Sequence, residues 1–221
     1  PIKKIEILLR LHGEEGETIS PANFIPAAEK YNLMPAIDRW VFSRVVSLVA
    51  GREREHDAYP IAVNLSGSTV ADESMADFIL EEIRESGADP HLITLEITET
   101  AAIENLSRAT EFIEQLRAEG VTIALDDFGN GFSSFAYLKT LPVDYLKIDG
   151  SFVKDMTEDP IDRSLVEAVN KIGHTMGLET IAEYVKDEMT LSALKEVGVD
   201  YVQGYALHKP APLEDFLLVK D

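Results

Sequence analysis

Ile123-Ala124-Leu125-Asp126-Asp127 is an apolar run closed by two adjacent carboxylates, and its reading decides the fold. Six further short runs share its character: Glu6-Ile7-Leu8-Leu9-Arg10, Ile61-Ala62-Val63-Asn64, Thr94-Leu95-Glu96-Ile97, Leu146-Lys147-Ile148-Asp149, Ile181-Ala182-Glu183 and Val202-Gln203-Gly204. Each sets a polar or charged residue among apolar ones, and five of the seven include a carboxylate. Strands covered on both faces read as near-continuous apolar runs, and a carboxylate buried in one is costly unless a cation meets it. The pattern asks for a metal site.

Helical segments lie between the runs. Apolar spacing predicts helices over residues 36–50, 73–86, 104–119, 160–176 and 187–197, followed by Gly51, Gly87, Gly120, Gly177 and Gly198 as left-handed stops. No Ser/Gly-rich linker interrupts the alternation, so the chain reads as a single domain over residues 1–221. Strand and helix in alternation mean parallel strands with helical crossovers, in an open doubly wound sheet or a closed (β/α)8 barrel. The polar residues are spread over all the runs, and no Gly-rich dinucleotide fingerprint follows the first, which favours the barrel. A barrel needs eight strands and seven are found, while Pro1-Ile2-Lys3-Lys4 leads at once into the first run. The expectation is an α/β barrel whose first strand is missing from these residues.

Composition narrows the function. At 221 residues and 45% apolar content the chain can bury a sizeable core, and the absence of cysteine excludes disulfides, zinc thiolates and thiol catalysis. It also fits a cytoplasmic location. No apolar stretch approaches the ~20 residues of a membrane span. Forty acidic residues against 20 basic give a net charge of -20, which disfavours nucleic acid polymers and anionic membranes as partners. A small anionic ligand is compatible if metal ions and a few local cations offset that field. Glu81, Glu82, Glu85, Glu114 and Glu119 read as solvated helix faces and account for part of the acidity.

Residues two apart in a strand share a face. Glu6, Leu8 and Arg10 then point to the barrel side and Ile5, Ile7 and Leu9 to the helices. The same counting groups Lys147 with Asp149, Thr94 with Glu96 and Thr98, and Asp126 with Ala124. Barrel chemistry is assembled at the C-terminal strand ends, which makes Asn64, Glu96, Asp126, Asp127, Asp149 and Glu183 candidates to converge. Oxygen-only donors suit Mg²⁺ or Mn²⁺, with Ca²⁺ able to occupy the site. Adjacent aspartates allow one to bridge two ions, and two ions ~3.5–4 Å apart serve phosphodiester hydrolysis. Lys147 could orient the water or neutralise developing charge, and Arg10 could fork onto a phosphate oxygen.

Each residue alone also has a plainer use. A strand-end Asp can cap a helix, Asn64-Leu65-Ser66 can begin a turn, Glu6 and Arg10 can form an edge ion pair, and Lys147 and Asp149 can line a solvated face. Their joint recurrence at strand ends favours the site. In Asp126-Asp127-Phe128-Gly129-Asn130-Gly131-Phe132-Ser133-Ser134 the glycines permit tight backbone and the serines can cap a following helix, but an ordinary turn leaves the doubled acid unexplained. His12, His56, His91, His174 and His208 lack metal-ligand spacing, Trp40 reads as core or interface, and neither a nucleophile elbow nor a P-loop is present.

Taken in order, these motifs resemble the EAL-domain family of cyclic di-GMP phosphodiesterases over nearly the whole chain. The signature Glu-Ala-Leu-Leu-Arg stands as Glu6 through Arg10, Asn-Leu-Ser as Asn64-Leu65-Ser66, and Glu-Ile-Thr-Glu as Glu96-Ile97-Thr98-Glu99. Asp126 through Ser134, Leu146 through Asp149, Ala182-Glu183 and Gln203-Gly204-Tyr205 match the later motifs. The resemblance implies a modified TIM (β/α)8 barrel with one antiparallel strand, hydrolysing cyclic di-GMP to linear pGpG with two Mg²⁺ or Mn²⁺ ions, Ca²⁺ binding without turnover. It implies Glu6, Asn64, Glu96 and Asp126 around one ion, and Asp126, Asp127 and Glu183 around the second, with Glu183 also a general-base candidate. Lys147 would position the water, Asp149 would support the metal-water cluster and contact substrate, Glu99 would anchor the loop after Asp127, and Arg10, Leu8 and Gln203 would contact substrate. Partners implied are cyclic di-GMP, a second copy in a homodimer, and attached sensory or GGDEF domains in a larger signalling protein, with no membrane contact by this domain.

Two departures stand out: Ile7 replaces the signature alanine on the face away from the site, and Ala-Glu-Gly-Val-Glu reads Ala182-Glu183-Tyr184-Val185-Lys186, reversing a charge. The alternative function is a non-catalytic cyclic di-GMP receptor. Such receptors lose the counterparts of Glu6, the Asp126-Asp127 pair or Glu183, and all of these are present.

Overall fold

Each of the seven apolar runs becomes a strand or ends one. A computed structural model describes residues 3–52, 59–129 and 136–213. The strands are β1 (Ile5–Ile7), β2 (Leu11–His12), β3 (Thr18–Ile19), β4 (Ile61–Leu65), β5 (Ile93–Thr98), β6 (Thr122–Phe128), β7 (Tyr145–Ile148), β8 (Glu179–Ala182) and β9 (Tyr201–Val202). The helices are α1 (Pro21–Lys30), α2 (Met34–Arg52), α3 (Gly67–Ala71), α4 (Met75–Ser86), α5 (Glu99–Glu104), α6 (Leu106–Ala118), α7 (Gly150–Asp155), α8 (Pro160–Thr175) and α9 (Glu188–Val197). Seven strands form a sheet in the order β1-β4-β5-β6-β7-β8-β9. The fold class is α/β, TIM-barrel-like in its succession of parallel strands and helical crossovers. Among the described residues the antiparallel pairing is that of β2 with β3, a small ribbon outside this sheet.

Two compact units divide the chain, Pro1–Ile123 with Thr140–Pro142, and Ala124–Lys139 with Val143–Asp221. In the first, β4 pairs in parallel with β1 and β5. Phe42, Val45, Val46 and Val49 recur at helical spacing on α2 and are all buried, as are Ile61, Ala62 and Val63 of β4. Full burial of such a side chain stabilises the fold by roughly 1.5–3 kcal/mol. In the second unit β7 pairs in parallel with β6 and β8, and β8 with β9. There Val166 and Val169 of α8 are buried together with Leu146, Ile148 and Ile181.

Glycine stops hold where the left-handed conformation is adopted: Gly87 and Gly198 have φ of 73° and 82° and donate back to Ile83 and Leu194. The predicted stop at Gly51 does not hold, because α2 continues through it to Arg52. The predicted helix over residues 104–119 is α6, which starts two residues later because Asn105 leaves the helical conformation to cap it, and Glu104 instead ends α5. Trp40 is 65% exposed on α2 and so is not core. The expectations for Pro1-Ile2, His56 and the Asn130 to Ser134 part of the loop lie outside the described residues.

Candidate active site

The doubled acid is made possible by an irregularity in β6. Leu125 lies opposite Leu146 and Phe128 opposite Ile148, so Asp126 and Asp127 together face the single residue Lys147. This is the two-against-one count of a β-bulge, and Asp127 takes the left-handed φ of 55° within it. Regular alternation would send the two side chains to opposite faces; the bulge lets both serve one. Ligand oxygens of Asp126, Asp127 and Glu183 lie within 4.8 Å of one another. The sequence periodicity placed Asp126 with Ala124 and had no signal for the bulge beyond the pair of aspartates.

Lys147 stands at the centre of this cluster. It is 1% exposed, and its Nζ lies 3.1 Å from Asp126 Oδ2 and 2.9 Å from Glu183 Oε1. A buried ammonium is tolerated when paired in this way. The solvated-face reading of Lys147 and Asp149 is thereby excluded, since Asp149 is buried as well. Asp126 Oδ1 accepts the Asp127 amide at 2.8 Å, which orients the carboxylate whose other oxygen meets Lys147.

Asp149 has the plainer role too: its Oδ1 accepts the Ser151 amide at 2.7 Å and caps α7. Glu183 follows the last residue of β8 and is held by a backbone zipper. Val185 N–H donates to Gln203 O, Gln203 N–H to Ala182 O, and Ala206 N–H to Val185 O, at 3.0, 2.8 and 3.0 Å. A Cβ at Gly204 would collide with the Val185 backbone, so this approach requires glycine. Between Glu183 and Val185, Tyr184 adopts φ of 54° and lays its exposed ring over Gly150, where a side chain would not fit. Lys186 is exposed and pairs with Glu158 across 4.0 Å.

In the first unit Asn64 Nδ2 donates to Glu6 Oε1 at 2.8 Å, and Asn64 is the β-register neighbour of Glu96. With its amide hydrogens turned toward Glu6, Asn64 offers the carbonyl oxygen as a ligand atom. Glu96 is 2% exposed. Glu99 is buried as the first residue of α5, and the loop it was expected to anchor falls among residues 130–135, outside the described residues. Leu8 and Arg10 are exposed beyond β1, and the Arg10 guanidinium donates to Leu9 O at 2.9 Å. Gln203 is partly exposed. The donor set of both units is carboxylate and amide oxygen, with no imidazole or thiolate, and so fits hard divalent ions.

Sequence reasoning missed Asp38. This α2 residue is 5% exposed, and its Oδ2 accepts Ser66 N–H, Ser66 Oγ–H and Thr69 Oγ1–H at 2.9, 2.8 and 2.6 Å. A single acid in a helical stretch carries no sequence signal of burial.

This fold and these motifs match a known family. Residues 1–210 match the family model described as EAL domain, and the chain belongs to that family. Among curated relatives, the cyclic di-GMP phosphodiesterase PdeB of Shewanella oneidensis is 38% identical over 214 residues, covering 97% of this chain and 25% of the relative. The cyclic di-GMP phosphodiesterase PdeF of Escherichia coli is 34% identical over 212 residues, covering 96% of this chain and 28% of the relative. The chain thus spans about a quarter of the length of the relatives it matches. Among solved structures, a PaMucR phosphodiesterase in complex with c-di-GMP superposes with a TM-score of 0.93 at 34% identity, covering 98% of this chain and 88% of that one. The FimX EAL domain of Pseudomonas aeruginosa bound to c-di-GMP gives 0.87 at 28%, covering 94% and 84%. No helix among the described residues is long and apolar enough to cross a membrane.

Proposed function

We propose that this chain hydrolyses cyclic di-GMP to linear pGpG in a metal-dependent reaction, as part of a larger signalling protein. The observation that carries the reading is the buried Lys147 set between Asp126 and Glu183 beside Asp127. Three carboxylates there have ligand oxygens within 4.8 Å of one another, an oxygen-only donor set that suits a hard divalent ion.

In this reading Asp126, Asp127 and Glu183 hold a divalent ion, and Glu6, Asn64, Glu96 and again Asp126 supply oxygens for a second, with Asp149 in support. Mg²⁺ or Mn²⁺ fits the donors. Bound ions supply a nucleophilic water at neutral pH and neutralise charge on the phosphate. Lys147, whose ammonium lies 2.9 Å from Glu183, would orient that water. Glu183 serves as the general base. Arg10 and Gln203 bind the substrate, with Leu8 as an apolar contact. Relatives named as cyclic di-GMP phosphodiesterases and a neighbour solved with c-di-GMP support the substrate assignment. The same reading includes a homodimer, attached domains and a cytoplasmic location for this domain.

Incubation with cyclic di-GMP and Mg²⁺ or Mn²⁺, followed by chromatography, tests it: pGpG accumulates with either ion and a chelator abolishes it. Ca²⁺ is expected to bind without turnover. Tight cyclic di-GMP binding with no pGpG under either ion would overturn hydrolysis in favour of a receptor.

A further inference from the structure

We propose that Asp38, remote in sequence from every assigned ligand, is a positioning residue for metal binding and acts by fixing the turn that follows Asn64. The proposal rests on the reading of Asn64 as a metal ligand.

Three donors converge on one carboxylate oxygen of Asp38: the backbone N–H and hydroxyl of Ser66 and the hydroxyl of Thr69. Hydrogen bonds to a carboxylate are about twice as strong as neutral ones, and three on one atom leave Ser66 little angular freedom. Ser66 is the N-cap of α3, its Oγ accepting the Thr69 amide, so the carboxylate, the cap and the first turn form one unit. Upstream, Asn64 is registered against Glu96 by β5 and hydrogen-bonded to Glu6. Asn64 is exposed, one residue before the end of its strand, whereas Leu65 and Asp38 are buried. Its amide is therefore aimed from two sides, by strand pairing before it and by the Asp38 anchor just after it.

A carboxylate placed here only to stabilise α3 would need no relation to a ligand. The Asp38 anchor begins two residues after Asn64, and a turn that shifts at Ser66 shifts the peptide plane next to the ligand. Groups that orient metal ligands typically alter affinity by 10- to 100-fold when removed.

The test is Mn²⁺ binding by titration calorimetry on the 221-residue chain, with a double-mutant cycle of Asp38→Ala and Asn64→Ala. Asp38→Ala is expected to weaken Mn²⁺ binding about tenfold. Asp38→Asn keeps an amide oxygen for the same donors and is expected to restore most of the affinity. In the Asn64→Ala background Asp38→Ala should lower the melting temperature again yet cost no further Mn²⁺ affinity. Wild-type affinity in folded Asp38→Ala, or an equal loss with and without Asn64, would overturn the proposal. Should Asp38→Ala fail to fold, Thr69→Val removes one donor and is expected to weaken Mn²⁺ binding about threefold, only when Asn64 is present. Unchanged Mn²⁺ binding in Asn64→Ala alone would remove the ligand assignment itself, and the positioning role with it.

Discussion

Strand β8 carries a polar network at each end, each partly buried, and the two differ in chemistry. At its start, Asp200 Oδ2 accepts the Thr180 amide at 2.7 Å, the Thr180 hydroxyl at 3.0 Å and His174 Nε2 at 2.8 Å, while Asn170 closes the group through Thr180 and Val197 O. Acceptors there are matched by donors. Just past its end, Glu183 shares the single ammonium of Lys147 with Asp126, and Asp127 adds a third carboxylate. Among the described residues, carboxylates gather there around a lysine. Matched polar groups are a fastening, whereas gathered carboxylate oxygens suit a hard divalent ion.

The largest expected effect comes from removing the cation of the carboxylate network. Lys147→Met should lower turnover by about 10²–10⁴-fold, the range for a group that orients a proton-transferring water. It should also destabilise the metal-free protein, by up to roughly 3–5 kcal/mol, since buried Asp126 and partly buried Glu183 lose a shared cation. Denaturation with and without saturating Mn²⁺ checks the second part: the ion should recover more stability in Lys147→Met than in wild type. Equal stability of the two metal-free proteins would break the contrast.

A smaller effect follows at the balanced end. Asp200→Asn keeps an acceptor for the same donors and should lose only about 0.5–1.5 kcal/mol of stability while leaving Mn²⁺ affinity and pGpG release unchanged. Burial pushes the Asp200 carboxyl upward, but the Thr180 amide, His174 and the Thr180 hydroxyl together bring it below its ordinary 3.8. A carboxyl depressed on folding adds stability that is present above its unfolded value and is lost as pH falls through the folded one. The difference between wild type and Asp200→Asn should therefore shrink below pH 3.8, which melting curves across that range would show. A difference that stays level as pH falls below 3.8 contradicts the assignment.

The smallest effect is expected at Tyr184, which lies just past β8. A non-glycine residue in the left-handed region costs about 1–2 kcal/mol, and the ring contact with Gly150 offsets part of that. Tyr184→Gly should thus raise stability by less than about 1 kcal/mol. A clear fall in melting temperature would show that the ring, rather than the backbone zipper to Gln203, holds Glu183 in place.

Much of this was legible because the strands announce themselves. Every apolar run with an internal polar residue marked a strand or its end, and the oxygen-rich ligand set could be read from those ends. What escaped had a physical reason in each case. The β2–β3 ribbon has two-residue strands and no room for periodicity. Helix α1 begins at Pro21 and contains Pro26, which argues against a helix from sequence. Gly51 carries no mark separating a glycine that ends a helix from one that α2 passes through. The bulge at Asp126 and Asp127 inverts the period-two rule on which face assignments rest, and Asp38 becomes informative only once its burial and three donors are known.

The exposure of Trp40 has an optical consequence. It is the only tryptophan, it lies on the outer side of α2, and it is already 65% in contact with water when the chain is folded. Its emission should sit near that of free indole in water in both folded and unfolded states, so the usual red shift on denaturation will be small. Circular dichroism, or a tryptophan placed at buried Phe42 two residues along the same helix, would follow unfolding more faithfully than the native fluorophore.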